Sequence, residues 1–211
     1  MIVALESASA DQSVAVADAD GRLLGSTSWT MVRGQGVELL PRLRQLLANE
    51  GVTWADVTAV AVGIGPGSFT GLRVGLALAK GLAAGLGCPL IGLPSLEAWL
   101  VAVPDAAVAL NRAGTTEVYA QVRDGAGPRI VTISEIPSGV RSGRLVAPRD
   151  LAASLELPDG LAPDGAAAAI AQRAAARLAA GSVDDVARLE PVYLRPPRGL
   201  SDAAPAAVTW L

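Results

Sequence analysis

Histidine is absent from this chain of 211 residues, and cysteine occurs only once, at Cys88. Without histidine the chain can form neither a Ser-His or Cys-His nucleophilic pair nor a His-ligated zinc site. One cysteine cannot make an intramolecular disulfide or a four-cysteine zinc site. Any catalysis by this chain would therefore depend on carboxylates, hydroxyls, lysine or the backbone.

Charged residues are also scarce, at 18% of the chain, and acidic groups outnumber basic groups by 20 to 17. The net charge of -3 provides no general basic field of the kind that attracts a protein to phosphate backbones. We therefore expect contact with RNA only through a complex. Hydrophobic residues make up 51% of the chain, which is enough for the core of one domain or two small lobes.

The most apolar stretch, from Val74 to Leu100, is interrupted by Lys80 and divided at Pro89 and Pro94. This pattern favours buried core over a membrane span. The first six residues lack the basic region and the cleavage site of a signal peptide. The sequence therefore predicts a cytoplasmic protein with no membrane contact.

The first half of the chain alternates short apolar runs with helical patterns. Asp20-Gly21 is typical of a hairpin turn, and Pro41 falls in the predicted first helix, near its first turn. Strands are predicted at 2–5, 13–17, 22–29, 58–64 and 90–93, and helices around Val37, Leu40, Leu43 and Leu47, at 70–87, and from a Ser95 cap to about 103. This order indicates a mixed sheet with helical crossovers, the layout of one actin-like or ribonuclease-H-like lobe.

The second half begins the same plan again. Val108 to Asn111 is similar to Val3 to Glu6, and the turn Asp124-Gly125 follows at almost the spacing of Asp20-Gly21. The sequence predicts a first lobe at 1–103 and a second, smaller lobe at 104–211. Within the second lobe it predicts strand 118–122, helix 166–180 and a short strand at 191–195, and it leaves 138–163 unassigned. The tail from Ser201 is either flexible or packs back through Trp210-Leu211.

A glycine-rich segment, Gly63 to Gly75, follows one predicted strand and opens the next helix, where backbone N–H groups can hold an anion. It lacks the Gly-Lys-Ser/Thr of a Walker A loop, has Thr70 where a dinucleotide fingerprint needs glycine, and offers no histidine to a nucleophile at Ser68. Two interpretations stay open. The segment is either a tight turn that permits close packing, or a phosphate site at Gly65, Gly67 and Ser68.

In the helix that follows, Gly71, Gly75 and Ala79 recur at four-residue spacing, while leucines occupy positions almost all round. A helix of this kind is covered on more than one side. The cover opposite its own sheet is either a third layer of the same chain or a partner chain.

The run from Gly65 to Gly75 resembles the signature of the TsaB family. The resemblance continues in Ala79-Lys80-Gly81-Leu82-Ala83, Pro89-Leu90-Ile91-Gly92, Glu38-Leu39-Leu40-Pro41, Glu117-Val118-Tyr119 and Tyr193-Leu194-Arg195. It covers most of the chain and is weakest between Ser134 and Pro191. It implies an α/β fold of two actin-like lobes, each with a mixed sheet and helical crossovers, the second lobe reduced.

The resemblance also implies a function. It implies a non-catalytic scaffold or activating subunit that pairs through its first lobe with a related catalytic subunit, TsaD. That complex, with the ATPase TsaE, places a threonylcarbamoyl group on the adenosine beside the anticodon of tRNA. The chain alone is expected to form a homodimer and to hold no cofactor or metal of its own, with a nucleotide, if present, at the subunit interface.

Two helices are expected to form the partner face. Its predicted residues are Leu39, Leu43, Leu47, Gly71, Leu72, Gly75, Leu76, Ala79 and Leu82. In the catalytic relative, two histidines four residues apart hold a metal, and the matching positions here are Ser95 and Trp99. Neither residue can rebuild that site, which agrees with a non-catalytic role.

The chain departs from its family at Asn111 to Gly114, where an Asp-Ala-Arg turn is usual, and at Gln35, where histidine is frequent. These changes weigh against a nucleotide contact from the second lobe. Glu6, Ser7 and Ser9 occupy the place where actin-like enzymes contact phosphate, and we expect a solvated loop there.

Two alternative functions stay open. An actin-like small-molecule kinase would need magnesium-binding carboxylates, for which Glu6, Asp11 and Asp18 are the early candidates. A peptidase, a label attached to relatives of this family, would need a histidine or a pair of aspartates that the sequence does not provide.

Overall fold

The computed structural model describes residues 1–31, 36–136, 144–157 and 160–194. Within this part, the chain forms two mixed sheets of five strands each. The elements of the first half are β1 (Ile2–Glu6), β2 (Asp11–Ala17), β3 (Leu23–Thr30), α1 (Leu39–Asn49), β4 (Ala59–Gly63), α2 (Phe69–Leu86), β5 (Leu90–Leu93) and α3 (Ser95–Ala102). Those of the second half are β6 (Val108–Arg112), β7 (Glu117–Val122), β8 (Arg129–Thr132), β9 (Leu145–Val146), α4 (Arg149–Ser154), β10 (Gly160–Leu161) and α5 (Ala166–Ala179).

The first sheet has the strand order β3-β2-β1-β4-β5. β1 and β3 lie antiparallel to β2, while β4 lies parallel to β1 and β5 parallel to β4. Parallel neighbours need crossover connections, and α1 and α2 provide them. Every residue of β1, β2, β4 and β5 is buried, because helices cover both faces of this sheet.

The second sheet has the order β10-β9-β6-β7-β8. β6, β7 and β8 form an antiparallel meander, and β9 and β10 add parallel strands at the other side. The predicted turn at Asp124-Gly125 is confirmed, since Gly125 N–H donates to the carbonyl of Val122 and Asp124 has a φ of 57°. The two halves therefore share the antiparallel hairpin and the parallel strand that follows it.

Helix α1 begins two residues later than its apolar pattern suggests. Val37 precedes the helix and is 72% exposed, and Leu40 is 37% exposed. The buried side is formed instead by Leu39, Leu43, Leu46 and Leu47. Pro41 lies in the first turn, as predicted, where its missing N–H costs no helical hydrogen bond.

Helix α2 is 18 residues long with a mean hydropathy of 1.2, so by length and composition it is apolar enough to cross a membrane. In this structure it is the crossover between β4 and β5, and its buried residues pack on the first sheet. It therefore serves as one layer of the first lobe.

Helix α5 belongs to the first sheet although it lies in the half assigned to the second lobe. Ile170 and five of its six buried alanines pack against β1, β2 and β4 on the face opposite α1 and α2. Small alanine side chains let the helix lie close to the sheet. Residue 103 thus separates the two sheets, but it does not separate the helices that cover them.

Two local predictions are wrong. Ser95 is not the cap of α3, because the N-cap is Pro94 and Ser95 is the first helical residue. Pro191 to Leu194 form no strand, although Val192 N–H donates to the carbonyl of Ile64. Gln35, Arg195 and the tail with Trp210-Leu211 lie outside the described residues.

Candidate functional site

The glycine-rich loop is held by the start of α3. Gly65 has a φ of +95°, a left-handed conformation that glycine adopts without strain. Its N–H donates to Ser95 Oγ over 3.0 Å, and its carbonyl accepts from the N–H of Ser95 over 2.9 Å. The Ser95 hydroxyl and amide therefore fix the turn that leads into α2.

The rest of the loop packs on the end of β1. A Cβ on Gly67 would lie 2.2 Å from the carbonyl oxygen of Ala8, so only glycine fits there. Ser68 N–H donates to the same oxygen over 2.7 Å, and Ser68 Oγ accepts from Gly71 N–H and caps α2. Because the N–H groups of Gly65 and Ser68 are used by the fold, the geometry favours the tight turn over the phosphate site.

The three residues expected in a solvated loop are buried. Glu6, Ser7 and Ser9 have exposed fractions of 0%, 0% and 5%. Glu6 Oε1 accepts from Ala8 N–H over 2.6 Å, and Ser7 Oγ donates to the carbonyl of Gly71 over 2.9 Å. The expectation is wrong because α2 and α3 close over the carboxyl end of β1.

Glu6 is fully buried near Ser95 and Trp99, the two positions that the sequence resemblance matches with metal-binding histidines. Burial raises the pKa of Glu6, and hydrogen-bonding groups, first the N–H of Ala8 and then the Ser95 hydroxyl, only partly offset that effect. Among the residues that the structure describes, Glu6 Oε2 and Trp99 Nε1 are buried without a hydrogen bond of good geometry.

The three carboxylates that a kinase would need point to different places. Asp11 lies against α4, where Arg149 Nη1 donates to it over 2.8 Å and the carboxylate raises the pKa of the arginine. Asp18 lies in the β2–β3 turn and pairs with Arg22, while Glu6 faces α3. No group of three or more His, Cys, Asp or Glu in the described part of the chain is arranged to hold a metal.

A cleft of about 490 Å³ lies between the two lobes. The first lobe lines it with the loop after β1 and the start of α2, and the second lobe lines it with residues 111–114, Tyr119 and Asp150. Arg112 lines this cleft, with its Nε 3.6 Å from Asp150 Oδ2 and its Nη2 donating to Ser154 Oγ. Asn111 reaches across the cleft, and its amide donates to the carbonyls of Ala8 and Pro66.

The face of α2 expected to meet a partner packs instead on the chain's own sheet. A Cβ on Gly71 would lie 2.1 Å from the Ser7 carbonyl oxygen, and one on Gly75 would lie 2.1 Å from Ser7 Oγ. The other predicted interface residues are also covered: Leu39, Leu43, Leu47, Leu72, Leu76 and Ala79 are buried, and Leu82 is half-buried. The predicted residues pack within the chain because the small residues bring α2 close to β1, and their role in pairing stays a prediction.

Within the described part of the chain, nothing covers a second small-residue face of α2. Ala77, Gly81 and Gly85 are exposed, and a Cβ on either glycine would meet no described atom within 4 Å. Leu78 and Leu82 beside them are half-buried. The spacing of Ala77, Gly81 and Gly85 is the same as that of Gly71, Gly75 and Ala79, so the sequence contained this signal but could not rank the two faces.

The segment from Asp184 to Tyr193 covers one flank of α2. Lys80 Nζ donates to the carbonyl of Ala187, and Arg73 Nε donates to the hydroxyl of Tyr193 over 3.1 Å. The Tyr193 and Phe69 rings are 5.5 Å apart, and the Arg73 guanidinium lies over Phe69. Tyr193, one of the residues that carry the resemblance to the family, thus helps to hold the start of α2 in place.

Comparison with known proteins identifies relatives that match most of the chain. The family model of TsaD, tRNA N6-adenosine threonylcarbamoyltransferase, matches residues 33–135. An uncharacterized protein of Mycobacterium tuberculosis is 34% identical over 194 residues, which cover 88% of this chain and 85% of that protein. The tRNA threonylcarbamoyladenosine biosynthesis protein TsaB of Escherichia coli is 45% identical over 58 residues, or 28% of this chain and 25% of that protein.

The fold comparison agrees with the sequence comparison. YeaZ from Pseudomonas aeruginosa superimposes with a TM-score of 0.70 over 92% of this chain and 99% of that protein, at 23% sequence identity. The prediction of an α/β, actin-like fold is confirmed. Because the Gly65–Gly75 signature, the TsaB relatives and the YeaZ-like fold all agree, the chain belongs to the TsaB family.

Proposed function

We propose that this chain is a non-catalytic subunit of the complex that forms threonylcarbamoyladenosine in tRNA. In this proposal it pairs through its first lobe with the catalytic subunit TsaD, acts together with the ATPase TsaE in the cytoplasm, and reaches tRNA only through the complex. The name of the E. coli relative supports the pathway. The proposed pairing with TsaD rests on the exposed small-residue face of α2, formed by Ala77, Gly81 and Gly85.

This face suits close contact with another helix. Ala77, Gly81 and Gly85 have little or no side chain, so a partner helix can approach the α2 backbone at a short interaxial distance. Leu40 on α1 is exposed on the same side of the sheet, since both helices pack on the same core. A face of this kind in the free chain also favours self-association, so we expect a homodimer when TsaD is absent.

The non-catalytic part of the proposal is supported by the placement of the ionisable groups. The chain has no histidine, and its three early carboxylates diverge toward α3, α4 and the β2–β3 turn. A general base and a magnesium site would need such groups to converge on one cleft. ATP hydrolysis by the isolated chain that a small-molecule substrate stimulates would favour the kinase alternative instead.

A bound nucleotide, if the complex holds one, is expected at the interface of the two subunits. The Gly65–Ser68 turn offers few free donors for its phosphates, because Ser95 and Ala8 already bind the N–H groups of Gly65 and Ser68. Equilibrium dialysis of a labelled nucleotide is carried out with this chain alone, with TsaD alone and with the complex. Comparing the three affinities shows whether the nucleotide binds to one subunit or at the interface. Binding to this chain alone would contradict the expectation.

The experiment uses a host with a single copy of the gene. The gene is deleted, threonylcarbamoyladenosine is measured in total tRNA, and the deletion is complemented with wild type, Gly81→Glu or Gly127→Glu. Both glycines are exposed with no described atom within 4 Å of a Cβ, but Gly81 lies on the open face of α2 and Gly127 in the second lobe. Glutamate also has a higher helix propensity than glycine, so the Gly81→Glu variant should fold.

We expect the modified nucleoside to disappear on deletion and to return with wild type and Gly127→Glu but not with Gly81→Glu. TsaD from the same host should co-purify with wild type and with Gly127→Glu, but not with Gly81→Glu. An unchanged nucleoside level on deletion would contradict the pathway. Full rescue and TsaD binding by Gly81→Glu would leave the pathway intact but refute the interface.

A further inference from the structure

We propose that the chain works as one rigid body, in which Asn111 and the Asp11–Arg149 pair lock the two lobes together across the cleft. The first sheet with its helices and the second sheet are separated only in part by the cleft of about 490 Å³. This holds whatever partner the chain binds.

The first tie is the amide of Asn111, at the end of β6. Its Nδ2 donates to the carbonyl of Ala8 over 3.0 Å and to the carbonyl of Pro66 over 3.2 Å, and the residue is 2% exposed. Its Oδ1 accepts from Arg112 N–H over 2.9 Å, which holds the amide in this orientation. One side chain of the second lobe thus joins two loops of the first.

The hydrogen bonds from Asn111 to the carbonyls of Ala8 and Pro66 require an amide side chain. Both atoms that receive the Asn111 N–H groups are carbonyl oxygens, which only accept hydrogen bonds. An ionised carboxylate in the same place would have no hydrogen to donate and would put negative charge beside two acceptor oxygens in a buried site. Asparagine and aspartate have almost the same shape, so this single exchange removes the tie with little change in volume.

The second tie joins β2 to the start of α4. The Asp11 carboxylate is buried and accepts from the N–H of Arg149 over 2.7 Å and from its Nη1 over 2.8 Å. Thr30 Oγ1 donates to the same carboxylate, and Asp164 binds the other end of the guanidinium. Removing Arg149 would leave the buried Asp11 carboxylate without its counter-ion, and removing Asp11 would leave Arg149 paired only with Asp164.

The two lobes also share apolar core. One buried cluster contains Ala8, Leu72, Leu96, Trp99 and Leu100 of the first half together with Ala106, Ala109, Val146 and Ala166 of the second. Opening the cleft would therefore break both polar ties and expose this cluster to water. The consequence is that the open face of α2 keeps a fixed orientation relative to the second lobe.

The test measures the distance between the lobes in solution. Ala19 and Ala126 are exposed alanines in the hairpin turns of the first and second lobes, and each is replaced by a spin-labelled cysteine in a Cys88→Ser background. Pulsed electron paramagnetic resonance then compares wild type, Asn111→Asp, Asp11→Asn and Asn49→Asp. Asn49 is an exposed residue of α1 away from the cleft, so its exchange is a control for the added charge.

We expect a single narrow distance distribution for wild type and Asn49→Asp. Asn111→Asp and Asp11→Asn should each add a second population at longer distance or broaden the distribution. Two populations in wild type would overturn the proposal, and so would folded Asn111→Asp and Asp11→Asn proteins that both match wild type. If neither variant folds, as judged by circular dichroism, the wild-type distribution alone decides.

Discussion

Ser7 and Gly71 contact each other at the point where α2 meets the end of β1. Ser7 Oγ donates to the carbonyl of Gly71 over 2.9 Å, and a Cβ on Gly71 would lie 2.1 Å from the Ser7 carbonyl oxygen. The absence of a side chain at residue 71 therefore lets a helix hydrogen-bond with a neighbouring strand end. This contact determines which face of α2 is buried and which face is exposed.

Alanine at residue 71 should destabilise the fold, whereas alanine at residue 81 should not. The methyl group of Gly71→Ala meets backbone, which must move, so we expect a loss of about 1 to 3 kcal/mol in the free energy of unfolding. Gly81→Ala adds a methyl group in open space and improves helix propensity, for a gain of up to about 1 kcal/mol. Urea unfolding of both variants measures this difference. Equal stabilities would contradict the assignment of the two faces.

Glu6 should make the stability of the protein depend on pH. Because its pKa is raised in the folded state, its contribution to stability is fully present below the unfolded-state pKa and is lost as the pH rises through the folded-state pKa. Between these two values the free energy of unfolding should fall by about 1.4 kcal/mol per pH unit. Glu6→Gln cannot ionise, so the variant should gain stability relative to wild type as the pH increases.

Urea unfolding at a series of pH values tests this dependence. Glu156→Gln, an exchange at an exposed glutamate, provides the control for a change of one charge. We expect its curve to run parallel to that of wild type, while the Glu6→Gln curve is flatter. A constant difference between Glu6→Gln and wild type at all pH values would mean that Glu6 does not titrate with a raised pKa.

The sequence was informative where burial on both faces of a strand produced a continuous apolar run. Leu90 to Leu93 was predicted with the observed bounds, and the predicted strand at 58–64 contains β4. Such runs can be recognised from the local sequence alone, because helices cover both faces of the strand and every side chain is therefore apolar or small. The local pattern therefore sufficed for the parallel strands β4 and β5.

The site was less predictable because it depends on which residues the fold brings together. Gly71 and Gly81 belong to two small-residue faces with the same spacing, and only packing on β1 shows which one is covered. Polar residues after a strand usually lie in solvated loops, yet Glu6 and Ser7 are buried by helices that come more than 60 residues later. The alanine-rich α5 likewise returns to the first sheet through contacts distant in sequence.

Ser95 should be important for the glycine-rich turn rather than for the cap of α3. Ser95→Ala removes the hydroxyl that accepts from the N–H of Gly65 and leaves that N–H buried without a partner. We expect a loss of about 1 to 3 kcal/mol in the free energy of unfolding. Hydrogen exchange should show faster exchange at the amide of Gly65. An unchanged exchange rate there would show that the hydroxyl does not hold the turn.

Arg123 should stabilise the end of α3. Its guanidinium donates to the carbonyl of Leu100, in the last turn of the helix, and to those of Val103 and Ala106, which follow the helix. Positive charge at a helix C-terminus is also favoured by the helix dipole. We expect Arg123→Met to lower the free energy of unfolding by about 1 to 3 kcal/mol.

Two further variants make the Arg123 test specific. Arg123→Lys keeps the charge but cannot reach three carbonyls at once, because an ammonium group lacks the planar fork of a guanidinium, so it should recover only part of the loss. Arg129→Met, at an exposed position of β8, removes the same charge in the same lobe and should leave the stability nearly unchanged. Full recovery by Arg123→Lys in urea unfolding would show that charge near the helix end is sufficient and that the three hydrogen bonds contribute little.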